Sequence, residues 1–529
     1  MTAQPARDET ETSSKDSPER APVIRDVPET AGPRQWIGLA VLAVPQLLVS
    51  VDTSFVLLAL PRIGEALHAN ASQQLWITDI YSFMLAGFLI TMGTLGDRIG
   101  RRRLLIIGGT GFAAASIAAA FAASPEMLIV ARALMGIAGA TLAPSTLALI
   151  ANMFTNAAQR GVAVGIWFVA FMGGLAVGPV LGGALLTHLW WGSVFLVGVP
   201  VMVLLAILAP LFLPEYRAPS AGRIDLTSVV LSLVAVLTVV YGLKQIAQSG
   251  WGTVPVGMLL VGVAVGVAFV ARQRRLAHPL LELSLFRNRA FAAAILCLLI
   301  GTLVTGPMML FNTQYFQLVA GLSPLAAGLW TLPSVLGSLT SFGLSPVLAR
   351  RIRPAYLISG GLALSVSGAV VAAQVTPSSG ILPLVIGFTL VSIGSGPLVT
   401  LSTTLVLGSV PAERAGSAAS LSETAGQFGY AIGIAILGSV VTLIYRAQLA
   451  HLPASLPAAA AAGARDGLAT GRTAALALAD PAGATLLAAA QAAFTSAIAA
   501  TAVISAIALA IVAVIAAVAF RGVPPTKSE

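Results

Sequence analysis

Runs of about eighteen or more apolar residues, almost free of charge, recur from Trp36 to Phe520. Each is long enough to cross a ~30 Å hydrocarbon core as a helix. Roughly a quarter of the residues of a soluble domain are charged; here the share is 9%, against 57% hydrophobic. Length alone, 529 residues, would suggest about three soluble domains, and the hydropathy overrides that expectation.

Cuts at charge and Pro/Gly clusters place spans at 36–60, 76–95, 103–122, 126–149, 161–186, 193–213, 224–244, 254–271, 289–312, 324–346, 355–374, 381–408, 415–443 and 491–520. The basic residues test this count. Of 29 Lys and Arg, only Arg62, Lys244, Arg446, Arg465 and Arg472 fall in connectors or at a span end on one side, and only Arg132 falls in the interior of a span. The rest, with the cluster Arg98, Arg101, Arg102 and Arg103, share the other side. That bias predicts an even number of helices with both termini in the cytoplasm. Residues 1–35 are polar and charged in both signs, and a disordered cytoplasmic tail is expected there, with a short second tail at 521–529. The first apolar run carries Asp52 and is too long for a cleaved signal, so it reads as a retained helix.

Two connectors resemble each other. Gly93–Arg103 follows span two, Gly343–Arg353 follows span ten, and both pair small residues with an Arg cluster. Parallel repeats suit two related halves about a central cavity. The expected domains are a six-helix bundle at 36–213, an inserted helix pair at 214–275, and a second six-helix bundle at 276–520. An Ala-rich connector, 447–490, lies outside the second bundle, and its pattern fits a helical hairpin cap or a disordered loop equally.

A formal charge of +9 does not point to nucleic acid, because the basic residues sit in short connectors and form no amphipathic face. The single cysteine, Cys297, excludes a disulfide framework within the chain. His68, His188, His278 and His451 lie near span ends or in loops without metal-ligand spacing. The Gly-rich stretches lack a phosphate-binding G-x-x-x-x-G-K-[ST] loop. Neither an enzyme, nor a cofactor, nor a metal site is expected.

Of twenty Asp and Glu, only Asp52, Asp79 and Glu423 fall in spans beyond their first two residues. A charge at the bilayer centre costs ~2.5 kcal/mol or more, which makes each a functional candidate. Asp52 lies ~13 Å along the helix from Pro61 at 1.5 Å per residue. Removed from bulk water, such a carboxyl group can hold a proton near neutral pH, as a proton-coupled carrier requires. Asp79 shares a helix face with Phe83, near Trp76 and Tyr81, a setting suited to an organic cation or to an aromatic belt at the interface. Glu423 stands among small residues that permit close helix contact or leave room for a cavity. Arg132 needs a partner, and Asp52 is the natural one.

With these residues the chain becomes recognisable. Gly93-Thr-Leu-Gly-Asp97-Arg98-Ile-Gly100-Arg101-Arg102-Arg103 resembles the G-x-L-x-D-R-x-G-R-[RK]-x signature of the major facilitator superfamily. Gly174-Leu-Ala-Val-Gly178-Pro179-Val-Leu-Gly182-Gly183 is similar to the glycine–proline motif of its antiporters, and Arg132 matches the buried Arg of the fourth helix. Val51-Asp52-Thr53 through Ala59-Leu60-Pro61 resembles the first-helix motif of the fourteen-helix drug:proton antiporters, and Gln74–Ser82 looks like their quaternary-ammonium branch. The resemblance implies an all-α polytopic membrane protein of the major facilitator fold, with 14 transmembrane helices in two six-helix bundles and an inserted pair. It implies that Asp97 caps the following helix while Arg98 and Arg101 latch the halves. It also implies that Asp52, Asp79 and Glu423 serve proton coupling and cation recognition, with Arg132 supporting them.

The implied activity is export of lipophilic cationic drugs, dyes and quaternary ammonium compounds in exchange for protons, by a monomer in the bacterial cytoplasmic membrane. A narrow-range antibiotic or metabolite exporter is the alternative. Candidate cavity residues are Phe55, Trp76, Tyr81, Phe83, Met308, Phe311, Tyr315, Phe316, Trp330 and Ser338. Ser338 stands where some members of the branch carry a further acid, which puts doubly charged cargo in doubt.

Overall fold

The computed structural model describes residues 30–69, 71–217, 225–276, 279–281, 283–411, 414–452, 456–478 and 481–525. Most of the expected N-terminal tail, and the last four residues, lie outside them. Fourteen helices among the described residues are long and apolar enough to cross a membrane. In chain order the helices are α1 Pro33–Leu67, α2 Ala71–Ile99, α3 Arg101–Ala120, α4 Pro125–Gly139, α5 Leu142–Met153 and α6 Ala157–His188. There follow α7 Ser193–Leu196, α8 Gly198–Phe212, α9 Leu226–Ser249, α10 Thr253–Gln273, α11 Arg289–Gln314 and α12 Pro324–Leu348. The last are α13 Pro354–Ala372, α14 Leu382–Gly408, α15 Ala415–Gln448, α16 Ala458–Asp466, α17 Leu468–Leu476 and α18 Ala482–Ala519. The fourth span is α4 with α5, and the sixth is α7 with α8.

The helix starts carry ordinary capping chemistry. Ser124 accepts from Met127 N with Pro125 following, Asn156 accepts from Ala158 N and Gln159 N, and Ser323 accepts from Ala326 N ahead of α12. Gly100 separates α2 from α3 at φ +112, a left-handed backbone that favours glycine, and a Cβ there would lie 2.4 Å from Glu215 Oε1.

Buried apolar side chains form one core drawn almost wholly from α1 to α8, and two adjoining cores from α11 to α18. The α9–α10 hairpin packs chiefly on itself, and touches the rest through α2 and α15. A small cluster of Phe83, Ala86, Val236 and Val240, with Phe428 against it, makes that join. The two bundles meet crosswise, α2 and α5 on α15, and α6 on α12 and α14.

The close approaches between bundles sit at the end that carries the arginine-rich turns. A Cβ on Gly93 would meet Ser420 Cβ at 2.5 Å, and one on Gly165 would meet Phe342 O at 2.9 Å and Pro346 at 3.0 Å. Phe168 stacks on Phe342 with ring centroids 5.5 Å apart.

The connector after α15 resolves the alternative left open by its sequence: α16 and α17 form a helical hairpin over the end of the second bundle. Tyr445 Oη donates to Ala464 O at 2.9 Å, Arg465 Nε to Leu449 O at 3.1 Å, and Arg472 Nη1 to Gln317 O at 3.3 Å. The last span starts at Ala482, earlier than the expected 491.

Candidate functional site

Asp52 and Arg132 are brought together inside the first bundle. Both are almost fully buried, and Arg132 Nη1 donates to Asp52 Oδ2 at 2.6 Å. The remaining surface of the guanidinium is also occupied. Its Nε donates to Ile77 O at 3.3 Å, and its centre lies 4.5 Å from the Tyr81 ring centroid and 5.9 Å from that of Phe195. One arginine thus ties α1, α2, α4 and α7 through an ion pair, a carbonyl and two ring faces. Glycine at 136 lets α4 come this close, since a Cβ there would lie 2.4 Å from Tyr81 O.

The glycine–proline motif holds Asp52's helix from the other side. A Cβ on Gly174 would meet Leu47 O at 2.3 Å, one on Gly178 would meet Ser54 Cβ at 2.8 Å, and one on Gly182 would meet the Phe55 ring at 2.9 Å. These three glycines therefore form the α1–α6 contact along the turns flanking Asp52, while Gly183 faces open space. The side chain of Pro179 lies outside the described residues. Phe55 is buried in this contact, so it packs between helices and does not line a cavity.

A second constellation joins the bundles. Asp97 Oδ1 accepts from Arg101, whose guanidinium is fully buried, and Asp97 Oδ2 accepts from Ser417 N and Ser417 Oγ, both at 3.2 Å. Asp97 therefore caps α15 of the opposite bundle, and not the following helix α3 as the resemblance implied. The reason is its position within the last turn of α2, on the face that carries Gly93 toward α15. The capping of α3 falls to Glu215, which accepts from Arg102 N at 3.2 Å with Arg102 and Arg103 Nε at 3.5 and 3.8 Å. Arg98 stays at the turn, where its carbonyl accepts from Arg217 Nε at 2.7 Å. Arg101 packs against Gly416, which leaves no room for a side chain.

Glu423 shares one face of α15 with Gly416 and Ser420, by 3- and 4-residue spacing. It is half-buried, makes no hydrogen bond or ion pair among the described residues, and is followed on that face by exposed Gln427 and Tyr430. It stands one turn beyond the sealed contact, where the face toward the first bundle opens. Asp79 is half-buried on α2, in the stripe of Phe83, Ile90, Gly93 and Asp97. Its aromatic neighbours Trp76 and Phe83 meet each other with centroids 6.1 Å apart, and each meets Tyr241 of α9 at 6.4 Å. The inserted hairpin thus supplies a ring to this cluster.

Met308, Phe311, Tyr315 and Phe316 lie buried in the core beneath the α16–α17 hairpin. Met308 and Phe311 line a narrow cleft there with Asn312, Leu437, Ile498 and Ser505, against α15 and α18, while Tyr315 and Phe316 pack in the core beside it. Trp330 is 40% exposed, and Ser338 is buried with its Oγ bonded to Ser334 O of its own helix.

Glu215, Ser417 and Tyr241 escaped the sequence reading. Glu215 had a signal, an acid directly after a span and on the side of the arginine cluster. Ser417 and Tyr241 had none, since their partners are fixed only by helix packing.

Comparison with known proteins agrees with this architecture. Residues 42–434 match the family described as Major Facilitator Superfamily. The chain is 43% identical to "Multidrug efflux pump LfrA" of Mycolicibacterium smegmatis, over 80% of this chain and 84% of that one. It is 33% identical to "Methyl viologen resistance protein SmvA" of Salmonella typhimurium, over 80% and 86%. A crystal structure of the human organic anion transporter MFSD10 (TETRAN) shares the fold, with a TM-score of 0.60 at 15% identity, over 90% of this chain and all of that one. The chain is a multi-pass membrane protein and belongs to the major facilitator superfamily, a family of transporters and not of enzymes.

Proposed function

We propose that this chain exports lipophilic cationic drugs, dyes and quaternary ammonium compounds in exchange for protons, by alternating access. The observation that carries the reading is the buried Asp52–Arg132 pair. One proton on Asp52 cancels the charge that holds Arg132, and Arg132 reports to α2 through Ile77 and Tyr81. Proton uptake in the first bundle therefore acts on the helix that bears the interbundle contact. Glu423 offers a carboxylate at the edge of that contact, and Asp79 offers one beside aromatic rings, the pairing that attracts organic cations. The relatives support drug export as the general activity, and methyl viologen, named for one of them, is an organic cation.

The bias of basic residues sets both termini and the arginine-rich end in the cytoplasm. With Asp97, Arg101 and Ser417 joined there, the carrier is closed inward and faces outward. The two bundles, 36–213 and 276–520, move about a central cavity in this reading, with 214–275 as an accessory pair in a monomer.

Ethidium efflux from intact cells tests this, comparing wild type with Asp52→Asn, each with and without a protonophore. Export that stops with the protonophore, and falls at least about a hundredfold in the variant, as for loss of a positioned proton-transfer group, is the expected result. Wild-type cells that retain ethidium would instead turn the reading to a narrow, non-cationic cargo.

A further inference from the structure

A cleft of about 510 Å³ opens between the α9–α10 hairpin and helices α2 and α15, within the size range of small-molecule sites. Ile90, Val236, Gly266, Val267 and Phe428 line it, and Arg274 stands at its arginine-rich end. Neither its inside nor its rim suits water. Ser232 in the wall already donates to Val229 O of its own helix, and no other buried polar side-chain atom of the lining lacks a partner. A dry, apolar space of this kind has nothing to hold ordered water. Its rim is formed by α10, the least buried of the spans, where Val263 and Val267 are 53% and 64% exposed. The cleft therefore opens toward lipid.

Its floor is fixed. Leu280 and Leu281 close the cleft at the arginine-rich end. Gln273, itself buried, accepts from Leu280 N at 2.7 Å and Leu281 N at 3.3 Å, and donates to Ser228 Oγ at 2.8 Å. Thr94 Oγ1 on α2 donates to Leu280 O at 3.2 Å. Two basic residues flank this floor, and they differ. Arg272 is committed to Asp225, at 2.7 and 3.1 Å. Arg274 is exposed and has no partner among the described residues.

We infer that this cleft seats one acyl chain of an anionic phospholipid, whose headgroup phosphate meets Arg274. The apolar lining selects a hydrocarbon chain, the opening admits it sideways from the bilayer, and the arginine at the headgroup end selects negative charge. The same charge repels the lipophilic cations proposed as cargo, which makes the cleft a lipid seat and not a cargo entrance. A chain seated there touches α2, α10 and α15 together.

The test uses the purified full-length protein in detergent and native mass spectrometry, titrating phosphatidylglycerol against phosphatidylcholine with the same acyl chains. Wild type is expected to hold one saturable lipid with about a fivefold preference for phosphatidylglycerol, as for one basic residue at a membrane surface. Arg274→Gln is expected to keep the site and lose the preference. Gly266→Phe fills the cleft, where a Cβ meets only Ala235 at 3.8 Å, and is expected to lose the site. No saturable lipid in wild type, an unchanged preference in R274Q, or a site that survives G266F overturns the inference. So does equal thermal stabilisation by inorganic phosphate, which would mark an anion site without a lipid. If either variant fails to fold, phosphatidylglycerol with a photoreactive acyl chain is applied to the unaltered protein. Cross-links at Ile90, Val263, Val267 or Phe428 support the seat, and cross-links confined to other helices refute it.

Discussion

Arg132 is the residue on which the first bundle turns, because its charge has been taken out of water and is met by one carboxylate, one carbonyl and two rings. Removing a single partner of such a pair leaves the other charge stranded, at a cost of about 3–5 kcal/mol, whereas replacing both with apolar groups of similar volume is close to neutral. Arg132→Ala should therefore lower the thermal unfolding midpoint in detergent more than the double variant Asp52→Leu/Arg132→Met. Equal loss in both would show that the pair adds only packing. Both charges were legible in the sequence, since an ionised side chain in an apolar run is costly and stands out. Tyr81 as a ring beneath Arg132 was not, because it depends on how far α4 sinks onto α2, which Gly136 decides. Asp97 was legible as a capping acid, but its helix was not: α15 lies 320 residues away along the chain.

At the scale of the helix, the hairpin α9–α10 is held at its base by Asp225 and Arg272, which bond at 2.7 and 3.1 Å. The Arg272 hydrogen bonds, with a further one from Ser228, hold the Asp225 carboxyl well below the usual carboxylate range. The folded chain thus binds this proton less readily than the unfolded chain, and unfolding in acid takes a proton up. The stabilisation is complete at neutral pH, begins to fade as pH falls past the ordinary carboxylate value, and is gone once pH has fallen through the depressed one. The unfolding midpoint should fall from about pH 6 to about pH 3 less steeply in Asp225→Asn than in wild type; parallel curves would remove the pair from the account. The spans themselves were legible from hydropathy, with one informative lapse. Ala is a strong helix former but only mildly apolar, so the Ala-rich run from Ala482 to Ala490 extends α18 without a hydropathy signal. The same composition hid the choice between hairpin and loop before α18, which Tyr445 and Arg465 decide through bonds to distant carbonyls.

For the whole molecule, the two arginine-rich turns end α2 and α12, and these helices make the crosswise contacts, α2 on α15 and α12 on α6. The short sequence repeat thus has a counterpart in the interface, although nothing in it revealed which helices would meet. The two contacts are unequal in chemistry. The α6–α12 contact is apolar, built on Gly165, Phe168, Phe342 and Pro346. The α2–α15 contact carries charge: Asp97 accepts from Ser417 twice across it, and from Arg101 of its own bundle, whose Nε and Nη1 have no hydrogen-bond partner. An arginine satisfied by one acid in a buried place is stable only while that acid is present. Asp97→Ala should therefore shift the population toward the form open at the arginine-rich end. Loss of even one charge-assisted hydrogen bond, about 1.5–3 kcal/mol, corresponds to roughly tenfold or more. Ser420→Cys offers the readout, since Ser420 is buried against Gly93 in the closed form and the native Cys297 is fully buried. Labelling of that cysteine by an impermeant maleimide in inverted vesicles should quicken by at least about tenfold when Asp97→Ala is added. Labelling that stays slow would mean that the apolar α6–α12 contact alone keeps this end closed, and that the charged contact sets the fit of α2 on α15 without governing the transition.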